Sequence, residues 1–254
     1  MRRIEDYEPI IGRDEVKLIE ELAERVRGAK VIHVNATRFG GGVAEILKNV
    51  IPLANSLGLN AKWQVLSAER EFFNITKAIH NALQGDDSIE LTDEMREEYL
   101  EVNRRNASLL DLDGDVVVIH DPQPLPLVEY RREGKWVWRC HIDTSEPNQS
   151  VWSFVRGFVS KYDCAVFSLE KYVPSDLRGM KIFIMHPSID PLSDKNKPLS
   201  ESEILNVLSK FGVDPDRPII GQVARFDPWK DPFAAIDTYR RVKEKVPDVQ
   251  LLLI

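Results

Sequence analysis

Three consecutive glycines between an apolar strand and a helix constrain the fold of this chain more than any other stretch. Residues 31–37 predict a buried strand, Gly40, Gly41 and Gly42 predict a turn, and a helix is predicted to begin at residue 43 or 44. Glycine lets the backbone approach a ligand without a Cβ, and the first turn of a helix offers unpaired N–H groups to phosphate or sugar oxygens. The pattern therefore favours a ligand-facing loop. The alternative is a tight βα turn that needs glycine for geometry alone, and the dinucleotide motif Gly-x-Gly-x-x-Gly is not matched.

The rest of the chain alternates apolar strands with amphipathic helices, as in a parallel sheet covered by helices. Residues 115–119 are almost entirely apolar, which is typical of a strand buried on both faces. Three prolines exclude a regular element from 120–126. Strands are predicted at 31–37, 61–68, 115–119, 136–142, 163–168 and 181–185, and helices at 14–30, 43–57, 71–83, 92–110 and 151–162. Residues 1–190 are therefore predicted to form an α/β domain, Rossmann-like, on a doubly wound parallel sheet.

A second domain is predicted after a linker at residues 191–200, where proline, serine and charged residues interrupt the alternation. A helix at 201–211, a strand at 217–224, a helix from 232 to about 245 and a strand at 249–254 begin a new series. Pro232 suits the first turn of its helix. Residues 201–254 are therefore predicted to be the start of a second Rossmann-like domain, which we expect to be truncated.

Composition argues against several classes of function. The net charge is −7 and no segment forms a basic patch, so nucleic acid is not an expected partner. No apolar run approaches the roughly 18 residues of a membrane span, and the charged N-terminus does not resemble a signal peptide. Cys140 and Cys164 form no Cys-x-x-Cys pair, and no cluster has zinc-ligand spacing. We expect a cytoplasmic protein without a metal, and the 30% of charged residues fits a thermophile surface.

Polar clusters follow the predicted strands, where doubly wound sheets bind their ligands. Their shared position predicts one cleft between two domains. His120 beside Asp121 suits a general acid–base pair or the binding of a sugar hydroxyl, and a capping histidine at a strand end is the alternative. His33 is interpreted as a core histidine, and His141 has no evident partner in the sequence. The clusters are residues 35–42, His120 with Asp121, residues 143–145, His186, and residues 225–230.

A carboxylate follows the next strand at Asp143, and it can accept two hydrogen bonds from a sugar in fixed geometry. The alternative is an N-cap for the following helix. Four residues are candidates for that cap: Asp143, Thr144, Ser145 and Asn148.

Two cations, Arg225 and Lys230, lie in one loop after a buried strand, with Pro228 stiffening the interval. A guanidinium and an ammonium at this spacing can converge on a diphosphate. A solvated charged loop is the alternative. The absence of a Gly-x-Ser-x-Gly elbow and of a Walker loop weakens hydrolase and nucleoside-triphosphatase interpretations.

Several of these strings resemble one family of enzymes. Gly-Gly-Val-Ala-Glu at 41–45, with Arg225 and Lys230 in an Arg-x4-Lys loop, resembles the retaining glycosyltransferases of the GT-B fold, in the branch of glycogen and sucrose-phosphate synthases. Ile-His-Asp-Pro-Gln-Pro-Leu at 119–125 and Arg-Cys-His-Ile-Asp-Thr-Ser-Glu-Pro-Asn at 139–148 are similar to archaeal trehalose synthases of the glycosyltransferring type. Trehalose phosphorylases share this similarity. The resemblance spans nearly the whole chain.

The resemblance implies reversible transfer of glucose from a nucleotide sugar, ADP-glucose in preference to UDP-glucose, to free glucose, which gives trehalose without a metal or other cofactor. It implies an acceptor site in the N-terminal domain and a nucleotide-sugar site in the C-terminal domain. Its catalytic residues would be His120 at the transferred glucose and Arg225 and Lys230 at the departing diphosphate. Its substrate-binding residues would be Gly40, Gly41, Gly42, Glu45, Asp121 and Asp143.

The resemblance also implies a limit and two alternatives. The family's paired donor-site glutamates are expected beyond residue 254, so we expect this 254-residue chain to be inactive by itself and a longer parent to be active. Trehalose phosphorylase is the alternative enzyme. A non-catalytic sugar-binding module is the alternative from another class, and a homodimer is a possible assembly.

Overall fold

A computed structural model describes residues 2–177, 179–226 and 230–254 of the chain. The chain divides into two compact units, Met1–Leu192 and Ser193–Ile254. The first unit carries a six-stranded sheet and the second a two-stranded sheet. The predicted linker at 191–200 contains the division between the units.

Helices and strands alternate along most of the first unit. Short 3-10 helices also occur at Ile4–Tyr7, Leu125–Tyr130 and Glu170–Tyr172. The regular elements are α1 (Glu8–Ile11), α2 (Arg13–Glu24), β1 (Lys30–Asn35), α3 (Gly42–Ser56), β2 (Asn60–Val65), α4 (Arg70–Leu83), α5 (Asp93–Leu109), β3 (Val116–His120), β4 (Lys135–Cys140), α6 (Gln149–Val159), β5 (Cys164–Phe167) and β6 (Lys181–Ile184).

All neighbouring strands of the first sheet pair in parallel, in the order β2-β1-β3-β4-β5-β6. The chain moves outward from β1 to β2 and then returns to the other side of β1 to form β3. The strand order therefore reverses between β1 and β3. The predicted α/β fold with a doubly wound parallel sheet is confirmed, and the reversal marks the place where such sheets bind ligands.

The core lies around the two central strands. Val117 and Ile119 of β3 and Trp136 and Trp138 of β4 are fully buried. The Trp138 ring meets the Phe167 ring of β5 edge to face, with 5.6 Å between the ring centroids. Large aromatic side chains buried in this way contribute much of the apolar area that a sheet removes from water, so the strand ends are held on a rigid frame.

The boundaries of several elements differ from the predicted ones, and two of the differences involve glycine or proline. The helix predicted at 14–30 ends at Glu24, and a turn follows in which Gly28 has a φ of 79°. Residues 120–126 were predicted to lack a regular element, but a 3-10 helix begins at Leu125 and includes Pro126. Proline is tolerated there because the first turn of a helix leaves its N–H groups unpaired in any case.

The second unit contains two helices and two parallel strands. The capping box of α7 is formed by Ser200 and Glu203, and α8 begins at Pro232 as predicted. Asp231 caps α8, since its Oδ1 accepts the backbone N–H of Ala234 at 3.0 Å. The elements are α7 (Glu201–Lys210), β7 (Ile219–Gln222), α8 (Pro232–Lys243) and β8 (Gln250–Leu253).

Candidate active site at the carboxyl edge of the first sheet

The carboxyl ends of β1 and β3 bring buried polar residues to the point of strand reversal. Asn35 is the last residue of β1 and is 3% exposed, and His120 is the last residue of β3 and is 4% exposed. Buried polar side chains need hydrogen-bond partners, because an unpaired polar group in the interior costs free energy. Both side chains have such partners, and these partners define the site.

The glycine loop leads from β1 into α3. Gly40 and Gly41 have φ angles of 75° and 79°, which glycine adopts more readily than other residues. Gly41 is the N-cap of α3, and no side chain caps this helix. A Cβ on Gly40, Gly41 or Gly42 would meet no atom within 4 Å. The backbone angles therefore favour glycine at 40 and 41, whereas neither φ nor packing favours it at Gly42.

Side chains of the same segment hold the entry to this loop. Asn35 accepts a hydrogen bond from the Trp63 indole N–H at 2.7 Å and donates to the Thr37 carbonyl at 2.8 Å. The Thr37 hydroxyl donates to the Phe39 carbonyl and accepts the Phe39 N–H. The Arg38 guanidinium lies 5.1 Å from the centroid of the Trp63 ring. The loop is therefore tied to β2 before the glycines begin.

Three histidines form a hydrogen-bonded row across the carboxyl edge of the sheet. His33 Nδ1 lies 2.9 Å from His120 Nε2, and His120 Nδ1 lies 2.9 Å from His141 Nε2. The ring centroids are 5.2 Å apart in both pairs, and the planes differ by 29° and 13°. Because the distance between the bonded nitrogens is much shorter than the distance between the ring centroids, the rings meet edge to edge. We call His33, His120 and His141 the histidine row.

Strand register places these three side chains on one face. His33 is opposite Val118, two residues before His120, and His120 is opposite Arg139, two residues before His141. Since side chains alternate between the faces of a strand, His33, His120 and His141 all project to the same side. The row therefore results from the register of β1, β3 and β4.

The surroundings disfavour a positive charge on the row. Burial lowers the pKa of His33 and of His141 to about 4 each, and the nearby Arg139 guanidinium adds to the shift at His141. Burial also lowers the pKa of His120 well below its usual value, with further contributions from His33, His141 and Arg139. All three rings are therefore neutral at pH 7, and each carries one N–H and one lone pair.

Asp121 follows β3 in the left-handed region, with a φ of 63°. Its carboxylate accepts the backbone N–H of His141 at 2.8 Å, and its own N–H donates to the Arg139 carbonyl at 2.9 Å. Burial raises the pKa of Asp121 to about 6, against the stabilising effect of the His141 N–H. Among the described residues, His120 and Asp121 share no side-chain hydrogen bond, so the structure does not assemble them as an acid–base pair.

Asp143 is half-buried and closes a short turn rather than capping a helix. Its Oδ1 accepts the backbone N–H of Ser145 at 3.0 Å and the Ser145 hydroxyl at 2.7 Å. The cap of α6 is Asn148, whose Oδ1 accepts the N–H groups of Ser150 and Val151. Of the four predicted candidates for the cap, Asn148 therefore takes this role.

Arg225 and Lys230 belong to the second unit and flank the loop between β7 and α8. Both side chains are exposed, and the Lys230 carbonyl accepts the Gln222 side-chain amide at 2.6 Å. Residues 227–229, which include the predicted stiffening residue Pro228, lie outside the described residues. The convergence of the two cations on a diphosphate stays a prediction.

The described residues offer neither a cluster of metal ligands nor a helix suited to a membrane span. In the ranges 2–177, 179–226 and 230–254, no group of three or more His, Cys, Asp or Glu side chains could hold a metal ion. The helices of the same ranges are all too short or too polar to cross a membrane.

Comparison with known proteins identifies the family. Residues 33–174, more than half of the chain, match the family profile described as "Trehalose synthase, N-terminal domain". The chain belongs to the trehalose synthase family. The matched region contains the glycine loop, the histidine row, Asp121 and Asp143.

Individual relatives agree with this assignment. The trehalose synthase of Thermococcus litoralis is 56% identical over 255 residues, which cover all of this chain and 62% of that protein. The chain thus spans about three fifths of the length of this curated relative. The trehalose phosphorylase of Grifola frondosa is 27% identical over 96% of this chain and 38% of its own length.

A solved structure supports the fold. The UDP-forming α,α-trehalose-phosphate synthase of Burkholderia xenovorans superposes with a TM-score of 0.58 at 16% identity. The superposition covers 89% of this chain and 64% of that structure. The predicted GT-B type of fold is confirmed.

Three residues of this site could not be assigned to it from the sequence of this member of the trehalose synthase family. His33 was interpreted as a satisfied core histidine, and what the sequence did not show is that its partner is His120. His141 had no evident partner, and its ring bonds to the other nitrogen of His120. Arg139 is 6% exposed and donates to the carbonyls of Phe167 and Met185. The only available signal was the strand parity of each residue, which has no use until the register is known.

Proposed function

We propose that the whole protein containing this chain is a retaining glycosyltransferase that makes trehalose reversibly from a nucleotide sugar and free glucose. Membership of the trehalose synthase family is the observation that carries this proposal. ADP-glucose is the proposed preferred donor and UDP-glucose the second. No cofactor or metal is proposed, because the nucleotide sugar supplies the activated glucose. A homodimer and a cytoplasmic location stay predictions.

The glycine loop would bind the acceptor and the distal phosphate. The uncapped N-terminus of α3 offers N–H groups and the positive end of the helix dipole. The open space beside Gly40, Gly41 and Gly42 leaves room for a ligand against the backbone. Glu45 lies exposed in the first turn of the same helix, where its carboxylate would accept an acceptor hydroxyl.

Two carboxylates would hold acceptor hydroxyls. The Asp121 pKa of about 6 leaves the group mostly ionised at pH 7, so it can accept a hydroxyl proton as well as the His141 N–H. Asp143 uses Oδ1 for Ser145, and Oδ2 accepts no hydrogen bond from the described residues. His120 belongs to this site through the histidine row.

Arg225 and Lys230 would stabilise the charge that grows on the departing diphosphate, an electrostatic contribution that often dominates catalysis. The bond from the glucose C1 to the diphosphate oxygen breaks, and a bond from C1 to the anomeric oxygen of the acceptor forms on the same face. The acceptor proton passes to the leaving phosphate oxygen. This step requires no protein nucleophile.

The observation that supports the alternative function, trehalose phosphorylase, is the 27% identity to the Grifola frondosa protein. The whole protein should be incubated with trehalose and either ADP, UDP or inorganic phosphate, and the sugar products identified by mass spectrometry. ADP-glucose with free glucose is the expected result. Glucose 1-phosphate formed only with inorganic phosphate would identify a phosphorylase instead, and sugar binding without any turnover would favour a non-catalytic module.

Two glycine substitutions separate the fold from the binding of substrate. Gly42→Ala should leave stability within about 0.5 kcal/mol, because a helical alanine is favourable and the space is empty. Gly41→Ala should cost about 1–3 kcal/mol, because a φ of 79° with a ψ of 158° lies in a region that is essentially restricted to glycine. Both should raise the KM for glucose by about tenfold or more, since a methyl group would stand where the ligand approaches. Urea unfolding and steady-state kinetics measure the two effects.

An unchanged KM in Gly42→Ala would contradict a ligand against this loop. Gly157→Ala in α6 serves as the control, since a Cβ there also meets no atom within 4 Å and the residue is distant in sequence from the loop. We expect this control to keep the KM of the unsubstituted protein.

A further inference from the structure

Both ring nitrogens of His120 are occupied in the folded protein. Nε2 is hydrogen-bonded to His33 and Nδ1 to His141, each at 2.9 Å. An imidazole has only two nitrogens, so the side chain of His120 has no polar atom left for a ligand. A direct bond from His120 to a sugar would require one of these two bonds to break.

The row still has two unused nitrogens, His33 Nε2 and His141 Nδ1, and neither has a hydrogen-bond partner among the described residues. Three neutral rings carry three N–H groups and three lone pairs. Two internal hydrogen bonds use two of each, so one N–H and one lone pair remain. If His33 donates to His120, then His120 donates to His141, and the remaining N–H is at His141 while His33 accepts. If instead His141 donates to His120, then His120 donates to His33, and the remaining N–H is at His33 while His141 accepts.

Exposure agrees with a role for the ends. His33 and His141 are partly exposed, whereas His120 is 4% exposed. The histidine row lies at the carboxyl ends of β1 and β3, where the strand order of the sheet reverses. This is the expected position of a ligand in this type of sheet. The ends of the row, and not its centre, are therefore the parts that a ligand can reach.

We propose that His33 Nε2 and His141 Nδ1 bind sugar hydroxyls, and that His120 is a positioning residue that forces one of them to donate while the other accepts. This inference rests on the proposed function for the identity of the ligand as a sugar. A hydroxyl can donate and accept, so two hydroxyls can satisfy both ends in either arrangement. The three rings then share one tautomer, with all protons on Nδ1 or all on Nε2.

Amide substitutions test which nitrogen touches the sugar. The amide of Asn lies near the position of a histidine Nδ1, and the amide of Gln lies near that of Nε2. His33→Gln therefore keeps the outer contact and loses the bond to His120, and His33→Asn does the reverse. At position 141 the outer nitrogen is Nδ1, so His141→Asn keeps the outer contact and loses the bond to His120, and His141→Gln does the reverse. The four variants form two matched pairs.

The binding of glucose and of trehalose to the whole protein should be measured by calorimetry for each variant. His33→Asn and His141→Gln should bind about fivefold to tenfold more weakly, as expected for one lost hydrogen bond, and His33→Gln and His141→Asn should stay within about twofold. The reverse pattern, equal losses in all four variants, or no sugar binding by the unsubstituted protein would overturn the proposal. Failure of the proposed function would appear differently, as sugar binding without trehalose synthesis.

A spectroscopic measurement tests the role of His120 independently of activity. Long-range 15N–1H NMR spectra of the histidine-labelled whole protein distinguish Nδ1–H, Nε2–H and charged imidazoles. The three row residues should be neutral and share one tautomer, whereas the exposed His186 should show averaged tautomers. In His120→Phe, the rings of His33 and His141 should lose this common tautomer. The proposed role of His120 would be overturned if the three residues had different tautomers in the unsubstituted protein. It would also be overturned if His120→Phe left the tautomers of His33 and His141 unchanged.

Discussion

Substituting Arg225 by Gln in the whole protein should lower kcat for trehalose formation from ADP-glucose by about 10²- to 10³-fold. The reason is that negative charge on the departing diphosphate is larger in the transition state than in the bound donor. A guanidinium that stabilises it therefore acts mainly on kcat, with less effect on KM. Lys230→Gln should have an effect of the same kind. Steady-state kinetics with saturating glucose measures both.

The control is Arg241→Gln, since Arg241 is an exposed cation on α8 in the same unit and lies outside the loop between β7 and α8. Its kcat should stay within about twofold of the unsubstituted protein, because an isolated surface charge contributes little. If Arg225→Gln raised KM and left kcat unchanged, the residue would bind donor and transition state equally, and the proposed stabilisation of the leaving group would be wrong. The double variant should lose less than the product of the single losses, because both cations would act on one diphosphate in the proposed mechanism.

The parallel sheet could be predicted because its signal is local. The apolar run predicted at 115–119 is observed as Val116–His120, and its central position in the sheet explains why no alternation of polar residues interrupts it. The glycine turn could be predicted for the same reason, since three successive glycines are visible in the sequence, and Gly40 and Gly41 do adopt positive φ angles. Helix ends were predicted less well: the helix predicted at 14–30 ends at Glu24, and Gly28 has a φ of 79° in the turn before β1.

The histidine row could not be predicted because it depends on register. Parity within one strand is readable from the sequence, but the alignment of β1 with β3 is not. A shift of one residue would place His33 and His120 on opposite faces of the sheet. The separation of His120 from Asp121 depends likewise on the left-handed backbone at Asp121, which directs its carboxylate to the His141 N–H. Adjacent residues in the sequence thus have separate partners in the structure.

The same row should make the folded protein sensitive to acid. The pKa values of His33 and His141 are about 4 in the folded protein, compared with about 6.5 in an unfolded chain. Between these values the unfolded chain binds protons that the folded protein does not, so stability falls as the pH falls from about 6.5 to 4. Each histidine contributes a loss of about 3 kcal/mol over this interval, and His120 shifts in the same direction.

Asp121 acts in the opposite direction. The pKa of Asp121 is about 6 in the folded protein and about 3.8 in an unfolded chain. Between pH 3.8 and pH 6 the folded protein therefore binds a proton that the unfolded chain does not. This group stabilises the folded protein by about 3 kcal/mol as the pH falls, which offsets one histidine. With three histidines against one carboxyl group, the net loss of stability by pH 4 should be at least about 3 kcal/mol, a large fraction of the stability of a typical domain.

Urea unfolding at pH 7, 5.5 and 4.5 measures this loss through the transition midpoint at constant slope. His141→Gln removes one titrating ring, and because Gln retains an amide near Nε2, it keeps a partner for His120. Its midpoint should therefore fall less steeply with pH than that of the unsubstituted protein. An equal pH dependence in His141→Gln and in the unsubstituted protein would mean that the row does not carry the acid sensitivity. Acid loss would then have to come from carboxylates paired in the folded state, such as Asp163 with Arg131 at 3.0 Å.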